Sequence, residues 1–243
     1  MRPARRPVRA VTFDYWNTII RPTDTQLVQR LASWRAVYEA AGHAVAEELL
    51  RGVFATVWDE HQAAWRRNDQ YTGATAAARA MELLGLPVGE AARAELVGAF
   101  VAPAPDLTLC DGVSALLGRL DELEIRLGIV CDVGFTPSTQ LRAVLDRLGV
   151  LAHFDGTSFS DEVGWYKPAP EIFHHALGYL GVPAAETAHL GDLRRTDVAG
   201  AIDMGMVAVR YRGVFDDESE GPEGDHVVDR HDQVLVALGL EGA

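Results

Sequence analysis

Three acidic residues and one lysine follow short apolar stretches of the sequence. Asp14 follows the first stretch, Asp192 and Asp197 follow a later one, and Lys167 is the only lysine in the chain. Carboxylates brought together repel one another unless a hard cation joins them, and their oxygens suit Mg²⁺. An ammonium group beside them would complete a site for a phosphoryl group, because its negative charge must be neutralised before a carboxylate can approach it.

The apolar stretches are typical of buried strands in a parallel sheet. They cover residues 8–13, 126–131, 154–160, 187–190 and 206–211. Helical patterns alternate with the later strands, at residues 113–122, 138–148, 170–180 and 196–204. This alternation predicts βαβ units, in which the carboxyl ends of the strands converge on one crevice.

Residues 22–105 have a different character, because long Ala-, Leu- and Arg-rich helical patterns replace the alternation. In the first of them Trp34 and Tyr38 lie on one apolar stripe. The sequence therefore predicts a four-helix insertion at 22–105. The rest, residues 1–21 and 106–243, is predicted to form an α/β core with a Rossmann-like parallel sheet.

Composition and charge narrow the class of protein. The chain has 243 residues, of which 48% are hydrophobic, and a formal net charge of −13. That length corresponds to one or two domains, and the acidic charge argues against binding to nucleic acid or to a membrane surface. The N-terminal arginines precede no apolar h-region, and Cys110 and Cys131 have no zinc-type spacing. We therefore expect a cytoplasmic protein, with a solvated acidic loop at 216–225.

The chain resembles the haloacid dehalogenase-like (HAD) superfamily of hydrolases, in its helical-cap (C1) type. The resemblance rests on the first-strand Asp14, the helical insertion after it, the run Lys-Pro-x-Pro-Glu-Ile-Phe that begins at Lys167, and Gly-Asp-x-x-x-x-Asp at 191–197. It implies a Mg²⁺-dependent phosphatase that acts on a small phosphorylated molecule. It also implies a cap that closes over the crevice and selects the substrate.

The resemblance implies a role for each matched position. Asp14 would be the nucleophile and would form an aspartyl-phosphate intermediate. Asp14, the backbone carbonyl of Trp16 and Asp192 would bind Mg²⁺. Asp197 would support the metal or hold Lys167, and Lys167 would neutralise the charge on Asp14 and the phosphoryl group.

Two positions depart from the pattern of the phosphatases. Trp16 stands where those enzymes usually have a second Asp, which serves as acid and base and is worth about 10²–10⁴-fold in rate. Its loss would affect alkyl phosphates most, because aryl and acyl phosphates have better leaving groups. Cys131 stands where Ser or Thr usually donates to the phosphoryl group, and a thiol is a poorer donor. Thr18 would lie beside the same group.

Other residues are candidates for substrate binding. Trp16 is either a stacking platform or a core filler, and Asn17 lies next to it. Asp132 either replaces the missing acid or caps the loop before the next helix. Arg35 on the first cap helix reaches either the crevice or solvent.

Two alternatives to a phosphatase remain open. A 2-haloacid dehalogenase-like hydrolase needs no leaving-group acid, which fits Trp16, although such enzymes are metal-independent and lack the Gly-Asp-x-x-x-x-Asp motif. A weakly active or inactive member would instead bind a phosphorylated ligand. The oligomeric state cannot be read from the sequence.

Overall fold

The computed structural model describes residues 7–241, and the chain divides into two compact units. The sheet unit comprises the described parts of Met1–Pro22 and Leu145–Ala243, together with Thr108–Asp132. The helical unit comprises Thr23–Leu107 and Val133–Val144. The first six residues, which hold most of the N-terminal arginines, lie outside the described part of the chain.

The strands all belong to the sheet unit. In chain order they are Ala10–Phe13 (β1), Ile20–Arg21 (β2), Thr108–Leu109 (β3), Arg126–Cys131 (β4), Gly156–Phe159 (β5), Thr187–Gly191 (β6), Val207–Tyr211 (β7) and His226–Val228 (β8). Six of them form a parallel sheet in the order β5-β4-β1-β6-β7-β8. The predicted α/β fold with a Rossmann-like parallel sheet is confirmed.

The register of β1 determines which residues meet at one edge of the sheet. Phe13 at its end pairs with Ile129 of β4 on one side and with Leu190 of β6 on the other. The strands are parallel, so the residues that come after all three emerge at the same edge. This edge therefore collects the polar residues after β1, β4 and β6.

The helices span both units. In chain order they are Thr25–Ala40 (α1), Glu47–Arg67 (α2), Gly73–Leu84 (α3), Glu90–Val101 (α4), Val113–Glu122 (α5), Ser138–Arg147 (α6), Ser160–Val163 (α7), Pro170–Leu180 (α8), Ala199–Asp203 (α9) and Gln233–Ala237 (α10). Within residues 7–241, no helix combines the length and the apolar character that crossing a bilayer requires.

Some elements differ from the sequence prediction. The predicted helix at 196–204 begins earlier, as a π-helical turn at Arg194–Val198 that leads into α9. The predicted strand at 154–160 is shorter, because β5 begins only at Gly156 and α7 begins at Ser160. The antiparallel pair of β2 and β3 was not predicted, since strands of two residues carry no periodic signal.

The acidic stretch at 216–225 is exposed at most of its positions, as expected for a solvated loop, but several of its acidic residues also bind groups of the sheet unit. Arg210 on β7 is buried, and it pairs with Asp216 at 2.7 Å and Glu223 at 2.9 Å. Asp217 is also buried and accepts a hydrogen bond from the backbone N–H of Arg194 at 2.7 Å. A buried guanidinium needs counter-ions, and this stretch supplies them.

Helices α1–α4 of the helical unit enclose an apolar core of their own. Trp34 of α1 is fully buried and contacts Phe54 of α2 and Phe100 of α4, with ring centroids 5.1 and 5.6 Å apart. The Trp34 indole N–H donates to the carbonyl of Leu96 at 2.9 Å, so its one polar atom is satisfied inside the core.

The helical unit also includes Val133–Val144, which the sequence boundaries assigned to the sheet core. The reason is Phe135, whose ring lies 4.8 Å from that of His61 and 5.1 Å from that of Phe100. Gly73 at the start of α3 permits this packing, because a Cβ there would lie 2.0 Å from the Phe135 carbonyl oxygen. Contacts between residues so distant in sequence leave no local pattern.

Two adjacent leucines of α2 test the helical core. Leu50 is fully buried and Leu49 is 52% exposed. Leu50→Ala should lower the free energy of unfolding by about 2–5 kcal/mol because it leaves a cavity. Leu49→Ala should change it by about 0.5 kcal/mol or less. Urea denaturation followed by circular dichroism measures both, and equal losses would contradict this assignment of the core.

Candidate active site

The segment after β1 is held in a tight turn that places Asp14. The backbone N–H groups of Ile19 and Ile20 donate to the Tyr15 carbonyl at 3.0 and 2.8 Å. The N–H of Asn17 donates to the Ile20 carbonyl at 2.8 Å, and Asn17 adopts a left-handed φ of 58°. Asparagine tolerates this conformation better than most residues, so the turn depends on its being there.

The Lys167 ammonium is the centre of the site. This buried group donates to the carboxylate of Asp14, to Asp197 Oδ1 at 2.7 Å and to the Val130 carbonyl at 3.0 Å. Its three N–H bonds therefore all have acceptors. Burial alone would lower the pKa of Lys167, but the Asp14 and Asp197 carboxylates raise it well above its ordinary value. Lys167 is a permanent cation here.

Both oxygens of Asp197 accept hydrogen bonds. Oδ1 receives Lys167 and His189 Nε2, the latter at 3.0 Å, and Oδ2 receives the backbone N–H of Leu193 at 3.0 Å. Burial would raise the pKa of Asp197, but the Lys167 charge and the His189 hydrogen bond hold it below its usual range. The arrangement fits the expectation that Asp197 holds Lys167.

His189 fixes Asp197 from within the sheet, and the sequence analysis did not identify it as part of the site. Burial lowers its pKa, so the ring is neutral. A carboxylate accepts only, so the ring proton lies on Nε2 facing Asp197. Nδ1 is then the acceptor for the hydroxyl of Thr12, 2.9 Å away. The available signal was the pairing of two polar residues, Thr12 and His189, each of which has apolar neighbours on both sides in its strand.

Asp192 completes a group of three buried carboxylates. Ligand oxygens of Asp14, Asp192 and Asp197 all lie within 4.8 Å of one another. The amide of Asn17, predicted to bind substrate, donates to Asp192 Oδ2 at 2.9 Å. Burial raises the pKa of Asp14 to about 7 despite Lys167, and burial with the Asp14 and Asp197 charges raises that of Asp192 well above its usual range.

The charges at this site are unbalanced, since three carboxylates face one ammonium among the described residues. Burial is the largest cause of the raised pKa values of Asp14 and Asp192, and neighbouring carboxylates add to it. A proton on either carboxyl group would relieve the excess negative charge. A divalent cation with a preference for oxygen ligands would relieve it better. The donor set of the site therefore fits Mg²⁺.

Thr18 and Cys131 supply two further buried side chains. Thr18 is fully buried, and its hydroxyl has no hydrogen-bond partner within residues 7–241. Such an orphaned hydroxyl is uncommon in a protein interior and suits a group that binds a ligand. Cys131 ends β4, and burial together with the Asp14 charge raises the pKa of its thiol, so it stays protonated.

The other residues predicted to bind substrate are Trp16, Asp132 and Arg35, and each has a different environment. The Trp16 ring is half-buried and packs edge-on against Tyr15, with centroids 4.9 Å apart. Asp132 Oδ1 accepts the backbone N–H of Lys167 at 2.9 Å, which fixes the loop that carries the ammonium. Arg35 belongs to the helical unit, where it is half-exposed and lies within 4.0 Å of Glu39 and Glu47.

Comparison with known proteins assigns a family. Residues 8–205 match the model of the haloacid dehalogenase-like hydrolases. A ribulose-1,5-bisphosphate 5-phosphatase of Halopiger xanaduensis is 31% identical over 179 residues, which are 70% of this chain and 72% of that protein. A glyceraldehyde 3-phosphate phosphatase of Pyrococcus abyssi is 38% identical over 101 residues, 42% of this chain and 41% of that protein.

The first curated relatives match over only 37% to 57% of their own length. Among solved structures, a 2-haloacid dehalogenase of Pseudomonas syringae pv. Tomato is similar, with a TM-score of 0.73 and 21% identity over 96% of this chain and 98% of that one. This likeness supports the fold and leaves the reaction open.

Gly191 tests the packing of Asp197. A Cβ at Gly191 would lie 2.3 Å from Asp197 Cγ, whereas one at Gly178 on α8 would have no neighbour within 4 Å. Gly191→Ala should therefore displace Asp197 and cost about 1–3 kcal/mol in the free energy of unfolding. Gly178→Ala should be neutral or stabilise by about 1 kcal/mol or less. Thermal denaturation compares them, and an unaffected Gly191→Ala would contradict this geometry.

Proposed function

Because the chain belongs to the haloacid dehalogenase-like hydrolase family, we propose that it is a Mg²⁺-dependent phosphatase of a small phosphorylated metabolite. The proposal rests above all on the buried group of Asp14, Lys167 and Asp197 at the carboxyl end of β1. The names of the relatives add support, since they are phosphatases of small sugar phosphates. A cytoplasmic location and the absence of nucleic-acid partners remain predictions.

In the proposed reaction, Asp14 attacks the phosphorus of the substrate. A bond forms between its carboxylate oxygen and phosphorus while the bond to the leaving oxygen breaks, and that oxygen carries away the electron pair. Water then attacks the same phosphorus, which releases phosphate and restores Asp14. Lys167 favours the ionised form of Asp14 against the effect of burial, and it screens Asp14 from the approaching phosphoryl dianion.

The proposed metal ligands are Asp14, Asp192 and the backbone carbonyl of Trp16. When bound, Mg²⁺ supplies the positive charge that neutralises the phosphoryl oxygens. Asn17 would orient Asp192 for this purpose through its 2.9 Å hydrogen bond. We assign Asp197 to holding Lys167, because hydrogen bonds already occupy both of its oxygens.

Thr18 and Cys131 are the proposed neighbours of the phosphoryl group. The orphaned hydroxyl of Thr18 would donate to a phosphoryl oxygen, and the thiol of Cys131 would contribute a weaker hydrogen bond. Asp132 is better placed to position the Lys167 loop than to move protons, because its carboxylate already holds the Lys167 N–H.

The missing acid at position 16 keeps a second candidate function open. A 2-haloacid dehalogenase-like hydrolase releases a halide, which needs no proton, and Trp16 is compatible with that chemistry. The group of three carboxylates favours the phosphatase, because a metal-independent enzyme has no use for that excess charge. A phospho-ligand-binding protein without turnover is the third candidate.

Phosphate release from an aryl phosphate and from acetyl phosphate tests the proposal. We expect phosphate release in the presence of Mg²⁺ and little release in the presence of a chelator. Asp14→Asn, which keeps the shape of the side chain but not its nucleophilic charge, should release no more phosphate than the wild type does with chelator. If the folded protein releases no phosphate from either compound, the phosphatase proposal fails. Halide release from a 2-haloacid without added metal would then establish the alternative.

The role of position 16 can be tested by restoring the acid. Trp16→Asp should raise the rate on an alkyl phosphate by about 10²-fold, since a positioned acid and base contributes about 10²–10⁴-fold. The aryl phosphate rate should change far less. Trp16→Asn is the matched control, because it opens the same space without a proton to donate. Equal gains for Asp and Asn would mean that Trp16 limits the rate by its size.

A further inference from the structure

Arg30, in the middle of α1, is a largely buried cation without a counter-ion. No residue within 7–241 accepts a hydrogen bond from its guanidinium or forms an ion pair with it, and its Nε is shielded from solvent. Burial lowers the pKa of Arg30 to about 10, so the side chain still carries its charge at neutral pH. The helical unit thus keeps a charge that nothing in it neutralises.

The guanidinium of Arg30 contacts two aromatic rings. Its guanidinium carbon lies 5.3 Å from the ring centroid of Phe100 and 5.7 Å from that of Phe135. A cation over an aromatic face is attracted by the ring, but the attraction replaces only part of the lost hydration. The rings position the guanidinium, and its nitrogens have no acceptor within residues 7–241.

Other arginines of the helical unit show that acidic partners were available. Arg35, also on α1, lies within 4.0 Å of Glu39 and Glu47. Arg79 pairs with Glu60 at 3.1 Å and Glu82 at 2.9 Å. Arg30 alone among these three has aromatic neighbours in place of carboxylates. A partly buried guanidinium that has no counter-ion is well suited to bind an anion from outside the chain.

The surroundings indicate the kind of anion. His61 packs against Phe135, and burial lowers the pKa of His61, so this residue adds no second positive charge. Gln26, one helical turn before Arg30, donates to Thr136 Oγ1 at 3.3 Å and offers a neutral polar group on the same face of α1. One cation neutralises a monoanion, whereas a phosphate dianion would keep a net charge beside the rings.

We propose that Arg30 binds the carboxylate group of a small organic acid in the helical unit, beside Phe100 and Phe135. The flat carboxylate matches the planar fork of donors on a guanidinium, and each of its two oxygens can accept a hydrogen bond. This site goes beyond the proposed hydrolysis and does not depend on it.

Thermal unfolding of the full chain, with chelator present, tests the site apart from the metal group. The probes are acetate, lactate and benzoate, with the matched amides acetamide, lactamide and benzamide, and sodium chloride at equal ionic strength. We expect at least one acid to raise the midpoint temperature in a saturable way, while its amide and sodium chloride do not. If none of the three acids does so, the proposal is overturned.

Three variants assign the effect to a residue. Arg30→Gln should weaken the affinity for the acid at least about tenfold, because a charge-assisted hydrogen bond is lost. Arg35→Gln, on the same helix, should bind the acid as the wild type does. Unchanged binding in Arg30→Gln, or an Arg30-dependent preference for inorganic phosphate, would overturn the proposal.

The third variant, Arg30→Met, separates binding from a structural role. A ligand site predicts that Arg30→Met unfolds no earlier than the wild type without ligand, because an unpaired charge has been removed. It also predicts that the acid no longer stabilises this variant. Marked destabilisation together with an unchanged response to the acid would make Arg30 a structural residue and refute the site.

Discussion

The ammonium of Lys167 among buried carboxylates is the interaction on which the site depends. Each of its acceptors comes from a different part of the sheet unit: Asp14 after β1, the Val130 carbonyl on β4 and Asp197 after β6. The three meet only because β1 lies between β4 and β6 in a parallel register. The fold is therefore the means by which charges far apart in sequence are held in contact.

Local backbone features then set the positions of the carboxylates. The left-handed Asn17 shapes the turn after Asp14 and also binds Asp192. Gly191 permits the close approach of Asp197. Asp217, which belongs to the acidic stretch at 216–225, accepts a hydrogen bond from the backbone N–H of Arg194 in the segment that joins Asp192 to Asp197. These contacts hold repelling groups together, which is why the excess negative charge persists and why a divalent cation suits the site.

Much of this could be predicted from the sequence, because strand-end reasoning depends only on short apolar stretches and the polar residues in the loops that follow them. Asp14, Lys167, Asp192 and Asp197 were found in that way, and the structure brings them together. His189 was missed as a partner of Asp197, since a lone histidine in a strand shows no partner until the register is known. Arg30 was missed because helical periodicity does not show which residues lack a counter-ion.

The boundaries of the two units also show what sequence patterns leave unpredicted. Phe135 belongs to the helical unit through contacts with His61 and Phe100, which are distant in sequence. The burial of Asp217 depends on the order of a chain segment whose composition is typical of a solvated loop. Long-range packing determines the unit to which Phe135 belongs, and the pairing of charged groups determines the burial of Asp217. Neither kind of contact leaves a periodic pattern in the sequence.

The central claim is that Asp14 carries the phosphoryl group during the reaction. Because Trp16 supplies no base to activate water, the second step should be slow and the intermediate should accumulate. Mass spectrometry after acid quenching of the first turnover with acetyl phosphate and Mg²⁺ tests this directly. The account predicts one phosphoryl group on the peptide that contains Asp14, absent from Asp14→Asn. Turnover with no phosphoryl group there, or with one on another residue, would contradict it.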